Sequence, residues 1–442
     1  MAVKLSDHFT LQKLLRFTFP SIVMMLFTSV YIVVDGFFVS NFVGKTAFAA
    51  VNFIMPYLLI LGAMGFVFGA GGSALIAKSM GEGKREEALA QFSLCVYVAI
   101  ASGVVITVLG LWGLRPVAAF LGAEGEMLEQ CVLYGRIILL ALPAYMLQYA
   151  FQALFMTAEK PQLGLAVTVA SGLTNMVLDV LLVAVFPLGL VGAALATAFS
   201  QAVGGLLPIL YFALPNKSLL RLGRTHWNSR WMGQVALNGS SELMSNISMP
   251  LVGMLYNVQL MRVAGQDGVA AYGVIMYVNM IFLAIFIGYS VGSSPLVSYH
   301  YGAQNVDEMR NLRQKSLRLI AVTALVMFLS AECLAEPLST LFVGYDDALC
   351  AMTTHGFRVF ALSFLFAGFA IYGSCFFTAL NNGPISALIS FLRTLVFETS
   401  AIIILPFLFG IDGIWISVVV AEFMAAVIAF ALMAWKRKVY HY

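Results

Sequence analysis

Chemistry in this 442-residue chain is confined to a few polar side chains set within long apolar runs. Asp35 closes the pattern Thr28-x-x-Tyr31-x-x-x-Asp35, whose intervals of three and four put all three side chains on one helical face. A second stripe runs through Thr168, Ser171, Asn175 and Asp179 at intervals of 3, 4 and 4. Thr197 with Gln201, and Gln148 with Gln152, add two further pairs at a four-residue interval. A charge at mid-membrane costs about 2.5–3.5 kcal/mol on insertion scales, so Asp35 and Asp179 each need a reason to be there. Brought together, the stripes make a pocket of two carboxylates and several neutral oxygens, the ligands that hard cations prefer. Two carboxylates in a low-dielectric setting also repel one another when both are charged, so a shared proton is the other candidate occupant. The plainer role for both is to hydrogen-bond helices together.

The elements that carry these residues follow from composition. Sixty-one per cent of the residues are hydrophobic and 10% charged, against roughly 25% charged in a soluble domain. A soluble fold would lack polar surface to cover itself, so most of the exterior must face lipid. A hydrocarbon core of about 30 Å takes about 20 residues per helix. Runs of that length lie near 15–40, 47–77, 89–113, 131–156, 162–186 and 190–213, and again near 235–261, 269–299, 318–343, 355–380, 384–409 and 412–435. The expected fold is therefore all-α and integral to the membrane: twelve transmembrane helices in two six-helix lobes, 1–213 and 234–442, joined by a polar linker at 214–233. Met1 to Arg16 carries charges and lacks the apolar core and cleavage site of a secretory signal.

Orientation follows from Lys and Arg. Eighteen of the 24 basic residues fall in the N-terminal segment, the loops after even-numbered spans and the C-terminal segment, among them Lys78, Lys84, Arg85, Lys217, Arg221, Arg310, Arg313 and Lys436-Arg437-Lys438. Both termini are expected in the cytoplasm of a multi-pass cell-membrane protein, with Trp227, Trp231 and Trp435 in an inner aromatic belt.

The chain is internally duplicated. Setting Gly44 on Gly265 lays the stretch Gly44–Ala88 over Gly265–Met309 with 12 identities in 45 positions. The same register lays Thr157-Ala158 on Thr378-Ala379 and Gly189-x-x-Gly192 on Gly410-x-x-Gly413. Six spans is an even number, so both halves enter the membrane in the same direction. The repeats are then parallel, related by an axis along the membrane normal, with a central cleft between them. Their polar residues differ. Asp35 overlays Tyr256, while the slightly longer register that sets Pro161 on Pro384 lays Asn175 over Glu398 and Ser171 over Thr394. Ser390, Thr394 and Glu398 repeat the four-residue stripe with Arg393 close by, so Glu398 either lines a path for a cationic substrate or pairs with Arg393. Glu242 and Glu422 lie nearer helix ends, where a structural role is expected.

Other chemistry finds little support. The five histidines are scattered without HExxH spacing. Gly81-Glu-Gly-Lys84-Arg85 lacks the earlier Gly and the following Ser/Thr of a phosphate-binding loop, which disfavours an ATP-driven pump and leaves an ion gradient as the energy source. The five cysteines have no CxxC pair and read as reduced thiols. The net charge of +3 is too small to imply a nucleic-acid partner. A membrane enzyme or receptor would need a catalytic cluster or a soluble sensor domain, and neither is seen.

Taken in order, Pro20 and Asp35, Gly44-x-x-x-x-Ala49-Ala50, Gly81 before Glu87-Ala88, Asn175-x-x-x-Asp179, Gly189-x-x-Gly192-Ala193-Ala194 with Thr197, Pro295-Leu-Val, Tyr301-Gly302-Ala303 and Gly410-x-x-Gly413 resemble the multidrug and toxic compound extrusion (MATE) family across nearly the whole chain. The resemblance implies an antiporter, not an enzyme, that exports organic, often cationic compounds in exchange for H⁺ or Na⁺ without any cofactor. It implies an ion-coupling site at Asp35, Asn175, Asp179 and Thr197, with Gln152 a weaker transfer. Na⁺ there is the only metal expected. Tyr31, Gln152, Gln201, Glu242, Arg393 and Glu398 are candidate substrate or secondary polar residues. Some members place a cation site on helices seven and ten of the second lobe; here helix ten has no acidic residue, so only Glu242 answers to it. The alternative is a lipid or oligosaccharide flippase of the same wider group, whose cavity would be expected to carry several Arg or Lys.

Overall fold

A computed structural model describes residues 3–216 and 218–442, so Lys217 of the basic linker and the side chain of Lys45 lie outside the described residues. No strand occurs among them. The helices long and apolar enough to cross a membrane are α1 Leu11–Phe38, α2 Ala49–Gly81, α3 Arg85–Phe120, α4 Gly125–Thr157, α5 Pro161–Val185 and α6 Gly189–Ala213 in the first half. The second half opens with one helical stretch, Ser229–Gly302, of 74 residues. At 1.5 Å per residue it would reach about 110 Å, several membrane thicknesses. It is broken at Gly265, whose φ of 66° and ψ of −151° lie outside helical space, and so makes two spans, α7 (229–264) and α8 (266–302). There follow α9 Val306–Val343, α10, α11 Gly383–Phe409 and α12 Ile411–Tyr440. The helix α10 is a pair, Asp347–Ala361 and Phe364–Ala379, bent by 46°. Counted this way the spans number twelve among the described residues, each overlapping its expected window.

The linker interval 214–233 is shorter in the structure, because α7 begins at Ser229, where the Asn228 side chain accepts a hydrogen bond from the Trp231 N–H at 3.0 Å. Trp231 is also not a belt residue. It is 6% exposed and packs into the first half's core, whereas Trp227 and Trp435 are both 67% exposed. All five cysteines are free.

The duplication extends to backbone conformation. Gly44 and Gly265 have φ of +113° and +66°, and Gly189 and Gly410 have +59° and +60°, so both pairs of repeat-equivalent glycines close their turns in the region that glycine favours. Gly83 and Gln304, equivalent in the same register, both have positive φ, as do Glu159 and Asn381 at the ends of α4 and α10.

Besides side-chain packing, the halves approach one another backbone to backbone at several glycines. Gly81 on α2 abuts the Tyr299 carbonyl and Ala303 N–H at the end of α8, and Gly302 on α8 abuts the Lys78 carbonyl on α2. Further along, Gly71 of α2 faces Val235 and Gly239 of α7, while Gly288 and Gly292 of α8 lie on Thr18, Ser21 and Ile22 of α1. These contacts lie toward the end of the bundle that carries Lys78, Lys84 and Arg85.

The segment before α1 runs across that same end. The Leu5 N–H donates to Glu159 Oε1 (2.6 Å) in the turn after α4, and the Phe9 N–H donates to Glu308 Oε1 (2.9 Å) on α9. The Phe9 carbonyl accepts from Asn311 (3.0 Å) and Lys315 (2.6 Å), and His8 Nδ1 lies 2.6 Å from Glu308. Leu5 and Phe9 are fully buried in the second core cluster, so the strap ties one half to the other.

Candidate functional site

The four expected coupling residues converge inside the first half. Asp35 comes from the last third of α1, Asn175 and Asp179 from one face of α5, and Thr197 from α6. The Asn175 amide donates to Asp35 Oδ1 at 3.5 Å and the Thr197 hydroxyl donates to the same oxygen at 3.4 Å. Asp179 lies beside Asp35, fully buried, and neither of its carboxylate oxygens receives a hydrogen bond from a protein N–H or O–H. The Asn175 side-chain oxygen is likewise buried and unpartnered. Ionised side by side in a lipid-embedded interior, two adjacent carboxylates repel strongly, and a shared proton or a bound cation relieves that repulsion. The oxygens of Asp35, Asp179, Asn175 and Thr197 suit either occupant. Immediately beyond Asp179 the helix takes a π-helical turn over Val180–Val185, the kind of local widening that recurs at functional sites.

Behind these residues runs a ladder. Gln148 on α4 donates to Ser171 Oγ (3.2 Å), Ser171 Oγ donates to the Ser200 carbonyl (2.8 Å), and Ser200 Oγ returns a bond to the Ser171 carbonyl (2.9 Å). Tyr31 stands beside Gln148. Gln152 is buried one turn further along α4 with neither polar side-chain atom bonded, and Gln201 has an unpartnered Oε1. One residue escapes the stripe pattern: Tyr134 of α4, 1% exposed, whose hydroxyl lies beside Thr197, Asp35 and Asp179. It precedes Gln148 by about four helical turns, so extending the Gln152–Gln148 face toward the start of α4 would have found it.

The second half holds a different cluster. Arg393 does not pair with Glu398. Its guanidinium donates to Glu422 of α12 through Nε (2.9 and 3.0 Å) and Nη2 (2.6 Å), a bidentate pair that is nearly buried. The reason is local. Arg393 and Glu398 are five positions apart, not the three or four that share a helical face, whereas Glu422 approaches the guanidinium from α12. Glu398 instead faces Tyr256 of α7, whose ring stacks on Tyr272 at 5.0 Å and 6°. Glu242 of α7 lies near Cys375 of α10 and is also close to Arg393. Among the described residues no group of three or more His, Cys, Asp or Glu side chains is placed to hold a metal ion.

Known proteins match this arrangement along its length. A sequence profile of the family MatE matches residues 20–181 and again 243–404, the second match standing in the same register that sets Pro161 on Pro384. The multidrug export protein MepA of Staphylococcus aureus (strain MRSA252) is 24% identical over 424 residues, covering 95% of this chain and 92% of that protein. MepA of Staphylococcus saprophyticus is 24% identical over 426 residues with the same coverage. Among solved structures, an outward-facing multidrug resistance MATE family transporter of the MOP superfamily superposes with a TM-score of 0.93 at 20% identity, covering 98% of this chain and 97% of that one. A MATE structure in a bent conformation gives 0.90 at 20% identity, covering 99% and 97%. At these identities the structural likeness speaks for the fold.

Proposed function

The chain belongs to the MatE family, whose members are membrane transporters rather than enzymes, and on that premise we propose that it is a secondary active antiporter exporting organic compounds from the cytoplasm in exchange for H⁺ or Na⁺. The observation that carries this reading is the Asp35–Asp179 pair, side by side with no protein donor between them and ringed by Asn175, Thr197 and Tyr134. Such a pair changes its charge, and so its preferred surroundings, when an ion or proton arrives or leaves. The relatives named multidrug export proteins support export of organic small molecules. The basic end of the bundle, with both termini, is then the cytoplasmic end. The close backbone contact of the halves at that end supports a carrier held in its outward-facing state, to be opened inward by rocking of one half on the other.

A flippase for lipid-linked phosphates is less well supported, because Arg393, the cation that such a cargo would need within the spans, is engaged by Glu422. The deciding experiment is transport by the purified protein in proteoliposomes against a panel of organic compounds, with Na⁺ and pH gradients imposed separately. Export driven by one of the two gradients is expected, and lost in Asp35→Asn. Undiminished gradient-driven efflux of every transported compound by that variant would refute the coupling role.

A further inference from the structure

We propose that His300, in the last turn of α8, is a proton-sensitive catch: neutral, it lets the strap before α1 lie closed over the basic end of the bundle, and protonated, it releases the strap. The inference goes beyond the antiport reading, since it concerns when that end opens and not which ion drives transport. His300 is 2% exposed, and the strap lies over it. The Phe9 ring stands 6.4 Å from the imidazole at 85°, and the carbonyls of Leu5 and Asp7 lie beside it. Neither ring nitrogen closes a hydrogen bond of ordinary geometry, so a titratable side chain sits beneath the strap without anchoring it.

The charged groups around the ring decide what a proton there meets. Glu308 of α9 faces the imidazole, but its carboxylate is already engaged. Its Oε1 accepts from the Phe9 N–H (2.9 Å) and from Asn311 (2.8 Å), and its Oε2 lies 2.6 Å from His8 Nδ1. Asp7 of the strap pairs with Lys13 at 3.4 Å. On the cationic side stand His8, Lys315, whose ammonium donates to the Phe9 carbonyl, and Lys78 of α2, over the ring of Tyr301. An imidazolium at position 300 is therefore buried beside carboxylates that are already committed, which is costly.

Closed, the strap buries that charge; lifted, it lets the ring reach water. A proton binds the released state more tightly, so acid shifts the population toward it. Two other groups act in the opposite sense. Protonation of His8 strengthens its contact with Glu308, although its side chain is 70% exposed and an exposed pair is worth little. Glu159, whose carboxyl is held above its usual range by burial, takes up its proton more readily with the strap closed. The contribution of His300 is thus read as the difference that position 300 makes. Its place suits the role: two residues on, Gly302 presses on the Lys78 carbonyl where the halves meet.

The test is hydrogen exchange of the purified full-length protein in lipid nanodiscs, with the protection of the strap amides corrected for the intrinsic rate at each pH. On acidification from about pH 8 to about pH 5.5, the range in which an imidazole titrates, strap protection in the wild type is expected to fall about three- to tenfold further than in His300→Gln. His300→Phe, which keeps an aromatic ring against Phe9 and takes no proton, is expected to match His300→Gln. His8→Gln is expected to keep the wild-type fall or steepen it. Protection of the α4 core amides reports whether each variant is folded. The same pH response in the wild type and His300→Phe overturns the proposal, as does a smaller fall in the wild type than in that variant, or a fall abolished in His8→Gln. Exchange is read without any gradient, so a failure of antiport leaves this result standing.

Discussion

Gly81 and Gly302, which the duplication makes equivalent, each press on the other's helix: Gly81 of α2 lies on the Tyr299 carbonyl of α8, and Gly302 of α8 lies on the Lys78 carbonyl of α2. The contact is symmetric because the two positions correspond in the repeat, and it is possible only because neither carries a Cβ. A side chain at either position must push two backbones apart. Gly81→Leu and Gly302→Leu are therefore expected to reach the membrane but to lose transport by at least about tenfold, since overpacking a tight contact costs about 1–3 kcal/mol. Labelling of a cysteine introduced near Lys78 by a membrane-impermeant thiol reagent should rise in both; unchanged labelling and transport would show that the contact is incidental.

The carboxylate pair predicts non-additivity. If one proton or cation is held jointly, removing either acid removes the whole device. Asp35→Asn and Asp179→Asn should each abolish gradient-driven export, and the double variant should be no worse than either alone. A residual coupled rate in Asp179→Asn comparable to wild type would mean that Asp35 acts by itself. Proteoliposome flux under an imposed gradient separates the cases.

Tyr134→Phe removes one hydroxyl beside Thr197, Asp35 and Asp179 and leaves the ring packed. The expected result is a few-fold rise in the concentration of coupling ion needed for half-maximal export, consistent with a net hydrogen-bond contribution of about 0.5–1.5 kcal/mol. Thermal stability in detergent should barely move. A large loss of stability with an unchanged ion requirement would assign Tyr134 to the core instead.

Breaking the Arg393–Glu422 pair from one side leaves Glu422, 5% exposed, as an unpaired buried charge. Arg393→Ala is expected to destabilise by about 3–5 kcal/mol, and Arg393→Ala with Glu422→Gln to recover most of that loss. Melting temperatures of the single and double variants check this, and equal melting of the two would show that the pair is not what the site protects.

Much of this was legible in the sequence because lipid-facing helices tolerate so few polar residues that those present stand out. Asp35, Asn175, Asp179 and Thr197 converge as their spacing implied, and the repeat register located the paired turns at Gly44/Gly265 and Gly189/Gly410. What periodicity could not supply lies where the helix stops being regular or where the partner is remote. Arg393 pairs with Glu422, a residue on the following helix that local spacing does not nominate. Tyr134 was hidden because tyrosine in an apolar run is ordinarily packing. Trp231 looked like a belt residue from its position, but the early start of α7 buries it.

The strap before α1 has a consequence for the resting state of the carrier. Leu5 is tied to Glu159 in the first half, and Phe9 to Glu308, Asn311 and Lys315 in the second. Any motion that parts the halves at this end must peel the strap from one anchor before substrate can pass. The first residues of the described chain thus work as a spring clip, setting how much of the population waits with this door shut.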